Sequence, residues 1–523
     1  MIEQRQIPLL VCGILVVVLG AFLWSTALSS ADASGTVLYV APPPDGDDDN
    51  PCSLGQPCAT LQHAVDVASS GDELRVATGT YTGVQARGAM TQVLYISTTV
   101  SIRGGYSAGF GTWDPLAYPT TLDAAREGRV VSIVGAGITA TLDSLVISGG
   151  DATGITTHCP AAGGQSDGCG GGIFVHQARA FIVSNVITDN VAAVSGSGRS
   201  ASGGGICLSY ATGTVISDNL IIGNFASLGE RGMGGGIHLS YPYSVQVISN
   251  RLIDNVATTH ASLAGWGGGI AIQGSGAAAT ISGNQIEGNR TNSGGSGQGA
   301  GIYHSYGAST MTGNQVTGNH GPQAVFLGAY GGARFEANQV ISNSTDVGIW
   351  LAYGGGSEPT LANNIVARSG STSLEARATS GAPLTARLVH NTLAGAGTGY
   401  GVHVGTAYVT LGLTNTIVAG HALGITNSVP ASSTVLPDHT LFWNIGQDGI
   451  SGVAPVYGDP AFIDPGGGDY HLGTDSAAMD AAVDAGEDRD VDGDPRPMGL
   501  APDIGADEAR RWIIFLPLVL RDG

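Results

Sequence analysis

The sequence predicts an all-β protein, a single-stranded right-handed parallel β-helix (solenoid) with a short N-terminal capping helix and an acidic C-terminal cap region. Three observations predict it. The first is a repeat. Asn185-Val-Ile-Thr-Asp-Asn190 recurs from Asn219, Asn250, Asn284, Asn314 and Asn338, with weaker copies from Asn364, Asn391 and Asn415. A fixed period decides architecture before any local reading does. The second is a motif that alternates with it, Gly-Gly-Gly-Ile at 170–173, 203–206, 234–237 and 267–270. The third is the shortness of the apolar stretches. Each has three to five residues set among Gly, Ser and Thr, which suits strands and leaves no room for a helix of usual length.

Each unit reads as one coil, and successive coils are expected roughly 4.8 Å apart, the spacing of paired strands. The recurrent Asn side chains should stack, each amide bonding the next. A leucine-rich repeat has similar periods after residue 314. It needs Leu at several fixed offsets, and here the return stretches are rich in Gly and Ser. Coil length falls along the chain. The Asn steps are 34, 31, 34 and 30, then 24, 26, 27 and 24. Residues 191–202, 225–233, 256–266 and 290–298 account for the longer steps and are expected to bulge as loops along one edge.

The ends read differently. Residues 1–33 contain an apolar run, 9–24, followed by Ala31-Asp-Ala33. This is the pattern of a secretory signal, with an uncleaved membrane anchor as its alternative. Residues 34–110 form the N-terminal cap and first coils. Within them 60–68 is the one clear amphipathic helix, placed to cover the open strand edges of the first coil. His63 is then a helix surface residue. Residues 111–455 are the solenoid, 456–508 the acidic C-terminal region, and 509–523 an apolar tail too short to span a bilayer. Cys52 with Cys58, and Cys159 with Cys169, have spacings that suit local disulfides in an oxidising compartment. Cys207 is left as an odd, inert thiol.

Several stretches at both ends carry a resemblance. Tyr39-Val-Ala, Cys58-Ala-Thr-Leu-Gln62, Gly71-Asp72, Gly79-Thr-Tyr-Thr82, Arg103-Gly-Gly-Tyr106 and Pro119-Thr-Thr-Leu-Asp123 resemble the opening of secreted β-helix proteins of the pectin-lyase-like superfamily. Gly458-Asp-Pro-Ala-Phe462, Asp469-Tyr-His-Leu472, Asp490-Val-Asp-Gly-Asp-Pro-Arg496 and Asp503-Ile-Gly-Ala-Asp-Glu508 are similar to the choice-of-anchor C-terminal domain of bacterial surface β-helix proteins. The resemblance implies the fold and export. It implies no single activity, because the superfamily holds lyases, hydrolases, epimerases and members without known chemistry.

Charge narrows the partners. The formal net charge is −21 and the chain has no lysine. Fourteen Asp and Glu against two Arg fall in 459–508, while 170–445 carries ten against nine. Without a basic stripe, nucleic acid is excluded as a partner. Neutral glycans or a cell-surface component fit better, with membrane contact only through an uncleaved N-terminal segment. No cofactor is required. Calcium is the one candidate ion, at Asp490, Asp492 and Asp494, whose alternation before a Gly turn suits a hard cation; Gly499 stands where an EF-hand places its Glu.

No catalytic set of this fold is found in the coils. A lysine base is impossible here. Asp189 and Asp254 share a repeat position with one coil between them, hence roughly 10 Å apart, at the upper limit for an inverting glycosidase pair. Glu230, Arg231 and His260 lie in the long segments. A lyase or glycoside hydrolase with a site beside residues 190–300 therefore stays as an alternative, and a purely structural stalk as another. The stronger signal is an aromatic row. If the Ile of Gly-Ile points inward, the next residue points outward. That position reads Phe174, Cys207, His238, Ala271, Tyr303, Phe326, Trp350 and His403. Three residues on come Tyr210, Tyr241, Tyr306 and Tyr353. These aromatics and histidines are the expected ligand-binding face, suited to sugar rings or another surface. The expectation is thus an exported, non-catalytic binding protein.

Overall fold

The computed structural model describes residues 35–159, 166–195, 199–292, 294, 297–352, 354–355 and 357–509. Residues 1–33, expected as a signal or anchor, the apolar run 512–520 and Tyr353 lie outside the described residues. The chain winds as a right-handed parallel β-helix with three fourteen-stranded walls. Wall 1 carries the Gly-Ile strands, such as Ile173–His176, Ile206–Ser209 and Ile237–Ser240. Wall 2 carries the apolar stretch before the first Asn, such as Val215–Ser217. Wall 3 holds the three residues between the two Asn, such as Leu220–Ile222. Successive coils pair in parallel, mostly in register, after an antiparallel pair that starts wall 1, and one continuous apolar core runs down the axis.

Two asparagine ladders edge wall 3. Asn185, Asn219, Asn250, Asn284, Asn314, Asn338, Asn364 and Asn391 form the first, each Nδ2 donating to the next Oδ1 at 2.8–3.1 Å. Asn190, Asn224, Asn255, Asn289, Asn319 and Asn343 form the second, which ends on Ser369. The amides also serve the backbone. Asn255 Nδ2 donates to Ile221 O at 2.8 Å, and its Oδ1 accepts the Asn224 backbone N–H at 3.1 Å. A buried amide is costly unless its groups are paired, and here the repeat itself supplies the partners.

The long segments are not loops. They leave wall 3 as Val191–Ala193, Phe225–Ser227 and Val256–Thr258, a three-stranded parallel sheet. They return as Ser200–Ser202, Arg231–Met233, Gly265–Trp266 and Gly297–Gln298, in a five-stranded sheet that begins at Ser166–Cys169. The two sheets make a flat fin on the side of the solenoid. Its arms approach too closely for large side chains: a Cβ on Gly232 would lie 1.6 Å from Ala257 O. The Gly-Gly-Gly motif is the hinge from fin to wall 1. Gly203 has φ +64°, and a Cβ there would meet the Cys207 Cβ at 2.7 Å.

The helix Leu61–Val67 covers the first coil. Thr60 caps it by accepting from His63 N at 3.1 Å, and Leu61, Ala64 and Val65 enter the core. The C-terminal region takes a different position from the end cap that was expected. Wall 3 ends at Val456–Tyr457, and the chain then folds back along the outside of that wall. Leu472, Ala478 and Ile504 pack on Ile417, Ala419 and Leu441, while Tyr470 and Ala506 pack on Ile341, Ile365 and Ala394. Gly505 N donates to Asn415 O, and Arg334 pairs with Glu487. Wall 3 offers small outward side chains there, such as Ala367 and Ala419, so an apolar strip is available for covering.

Candidate functional site

The outward row of wall 1 is real as register. Strand pairing stacks Phe174, Cys207, His238, Ala271, Tyr303, Phe326 and Trp350 at one position. It then continues through Glu375 to His403 and Thr426. Glu375 is missed by the sequence motif because its strand, Thr372–Arg377, lacks the Gly-Ile pair.

Outward is not exposed. Phe174 is 0 % exposed, His238 1 % and Phe326 2 %, so these three are not surface binding residues. The row is closed from Phe174 to Ala271, in coils whose wall 1 strands are entered from the fin; Tyr303, entered from the last fin strand, is partly exposed, and Phe326 beyond it is buried. Phe174 and Cys207 pack with Met90 and Cys169. Arg129 fills the same space, fully buried, with its guanidinium 4.4 Å from the Phe174 ring centroid and Nη2 3.2 Å from the Cys159 and Cys169 sulfurs. Burial lowers Arg129 to about 9 and raises the Cys207 thiol to about 12. The thiol is inert for that reason. Disulfides join Cys52 to Cys58 and Cys159 to Cys169.

The aromatic rings also face each other. Tyr210 and Tyr241 stack at 4.9 Å and 6°, Tyr303 and Phe326 at 5.1 Å and 24°, and Tyr306 and Tyr330 at 4.8 Å and 25°. Rings stacked along the axis cover their own faces and show edges to solvent. Tyr210 and Tyr306 are the exposed members, at 45 % and 41 %. They offer edges and hydroxyls more than sugar-stacking faces. Tyr330, not within the expected row, is the partner of Tyr306 because the register shifts between these strands.

Beyond the last fin strand the row opens in part, Phe326 and Glu375 staying buried, and a polar cluster gathers around Trp350. The Trp350 ring is tipped 66° to Phe326, and the Arg377 guanidinium lies 5.1 Å from its centroid. Arg377 donates from Nε to Glu375 Oε1 at 2.7 Å, and His403 Nδ1 is 3.5 Å from the same oxygen. Tyr400 stacks on His403 at 4.7 Å, and His403 Nε2 meets Ser428 Oγ at 3.0 Å. Trp350, Arg377, Tyr400 and His403 keep partial exposure. The Trp350 Nε1 is shielded without a hydrogen-bond partner. Such a face can hold a planar or hydroxylated ligand by edge contacts and hydrogen bonds. Glu375 is the carboxylate of this cluster, and it is held by the Arg377 guanidinium.

The other candidates are dispersed. Asp189 is engaged by Arg126. Asp254 lines a shallow hollow with Phe225, Thr259 and Arg290. No hydrogen bond or ion pair joins the side chains of Glu230, Arg231 and His260 among the described residues; His260 Nδ1 accepts from Ser262 N. His63 lies near Cys52 and Cys58, whose sulfurs are used by their disulfide.

Asp490, Asp492 and Asp494 do not converge on one point. Asp490 Oδ1 accepts from Asp492 N and Asp494 N at 3.0 and 2.8 Å, and Oδ2 accepts from Glu508 N at 3.0 Å. Its oxygens build the turn. Asp492 faces His471 instead. The neighbouring motif residues form a buried hub: Arg496 pairs with Glu508 at 2.9 Å and donates to Asp503 O at 2.7 Å, while Glu508 accepts from Met498 N and Asp503 N. Arg496 burial lowers its pKa; burial raises those of Asp490, Asp503 and Glu508, and pushes Asp507 up to about 6. Among the described residues, no helix is long and apolar enough to cross a membrane.

The class defined by these walls is the right-handed parallel β-helix, and residues 133–316 match the family described as right handed beta helix region. No curated protein matches the chain. Similar solved structures include the pectate lyase Pel9A, at 11 % identity over 91 % of this chain and 96 % of that one, with a TM-score of 0.42. A GH136 lacto-N-biosidase from Eubacterium ramulus is similar at 12 % identity over 78 % and 67 %, with a TM-score of 0.43. The Dettilon tailspike protein is similar at 13 % over 77 % and 68 %, with a TM-score of 0.35. Likeness at this level carries no argument about activity.

Proposed function

We propose that this chain is an exported, surface-associated β-helix that binds a neutral glycan on the open part of wall 1, without catalysing its cleavage. The observation that carries the reading is the cluster of Trp350, Glu375, Arg377, Tyr400 and His403 on three consecutive coils, where the fin has ended. Aromatic edge, guanidinium, imidazole and hydroxyl suit sugar hydroxyls. Arg377 is balanced by Glu375, so the face has little attraction for a polyanion. The two disulfides suit an oxidising compartment. A glycan array probed with the leaderless chain, run beside reducing-sugar and unsaturated-product assays, tests the reading. It expects retention of a neutral glycan, loss of about tenfold or more in affinity for Trp350→Ala, as for an anchor residue, and no product. Released product, or retention unchanged in both Trp350→Ala and Arg377→Ala, contradicts it.

A further inference from the structure

The C-terminal region brings one histidine and two aspartates from three separate segments to a point. In the strand Asp469–Leu472, Tyr470 and Leu472 are buried against wall 3, so Asp469 and His471 share the other side. Asp469 Oδ1 accepts the His471 backbone N–H at 3.0 Å and lies 2.5 Å from His471 Nδ1. This fixes the ring and carries Nε2 to 2.9 Å from Asp492 Oδ2. Nε2 is shielded from solvent, yet that contact lacks the alignment of a hydrogen bond. Asp507 completes the set, with one donor atom each from His471, Asp492 and Asp507 lying within 4.8 Å of one another. Asp507 is only 7 % exposed; Leu472 N donates to its Oδ2 at 2.7 Å, and among the described residues its Oδ1 accepts no hydrogen bond.

We propose that His471 Nε2, Asp492 and Asp507 bind one divalent transition-metal ion of the zinc class, with Asp469 orienting the imidazole. Four features point there. The nitrogen donor disfavours calcium and magnesium, which take oxygen sets. A carboxylate on the far ring nitrogen is the usual support of a metal-binding histidine, since it fixes both tautomer and direction. Two carboxylates neutralise a dication. Asp492 is partly exposed, which leaves a side open for water as a further ligand. The ion would tie together the strand 469–472, the turn 490–494 held by Asp490, and the segment 503–509 held by Arg496. The competing occupant is a proton on Nε2, which would make the same cluster an ion pair.

The test uses the whole chain, stripped with chelator and titrated with Co²⁺ and Zn²⁺ alone. One equivalent of Co²⁺ with visible absorption of nitrogen–oxygen ligation, displaced by Zn²⁺, is expected. Asp469→Asn should weaken binding by about 10–100-fold, the usual cost of losing such a support. His471→Gln should weaken it at least as much, and Asp494→Asn should leave it unchanged. The wild-type stoichiometry needs no variant to fold. Absence of a bound equivalent, binding that survives His471→Gln, or calcium binding that needs Asp494 but not His471 overturns the proposal.

Discussion

The coils from Ile173 to Ala271 and those from Ile302 to His403 place their outward residues in one continuous row, yet the first group is wholly buried and the second only in part. In the first group Phe174, Cys207, His238 and Ala271 are sealed. In the second, Tyr303, Trp350 and His403 reach solvent in part, while Phe326 and Glu375 stay buried between them. The strands pair alike but differ in length, four residues at Ile173–His176 against nine at Ser344–Ala352, and the fin ends at Gly297–Gln298. A repeat position in a solenoid therefore fixes direction but not exposure. Exposure is decided by what the connecting segments do.

The largest test of this comparison is truncation beneath the fin. Phe174→Ala should cost about 3–5 kcal/mol, the range for a buried aromatic, whereas Trp350→Ala should cost clearly less, as a partly exposed residue. Chemical denaturation of both variants checks it; equal losses would erase the difference between the two groups of coils.

A second test asks what the groups share. Asn255→Ala removes one rung from a ladder common to both. It removes the acceptor of the Asn224 backbone N–H and of one Asn224 amide bond, and the Nδ2 donor to Asn289 Oδ1 and Ile221 O, though Asn289 Oδ1 keeps the backbone N–H of residue 255. At about 1–3 kcal/mol for each buried unsatisfied group, a loss near 3 kcal/mol is expected. Asn314→Ala, beyond the fin, should lose a similar amount, measured the same way.

The third concerns pH. His238, beneath the fin, and His304, inside the core, are held to about 4 by burial, against about 6.5 when unfolded. Between pH 6.5 and 4 the unfolded chain takes up protons that the folded chain refuses. Stability therefore falls with pH across that window, by on the order of 3 kcal/mol per histidine. Asp490, Asp503 and Glu508, whose pKa values burial raises, act in the opposite sense. The clean reading is thus the difference between wild type and His304→Leu, which should lose less stability between pH 7 and pH 4.

The most local expected effect is in the fin itself. Gly232→Ala forces a methyl onto Ala257 O. It should speed amide exchange in 225–233 and 256–266 while leaving 302–403 unchanged.

Much of this was legible in the sequence. The Asn spacings mark the coils and predict both ladders, because a stacked amide needs the same residue at each turn. The fin was not legible as strands: Val191–Ala193 and Ser200–Ser202 are three residues each, built of small side chains that give no alternation. Burial of Phe174 was hidden for the same reason, and no local signal announces Arg129 beside it. Glu375 escaped because Leu374 stands in its coil without the Gly-Ile pair. From composition, 456–508 reads as an acidic cap region with a candidate calcium turn. Its carboxylates instead accept backbone N–H groups, which only the folded path of the chain brings to them.

The central claim, that the fin closes one end of a continuous outward row, is most directly tested by thiol labelling. Cys207 sits in the row beneath the fin, and His403→Cys places a thiol in the same row beyond it. Peptide mapping after brief exposure of the folded leaderless chain to a small maleimide should find Cys207 unmodified until denaturant is added, and the cysteine at 403 modified at once. Comparable labelling of both thiols in the folded chain would contradict the account.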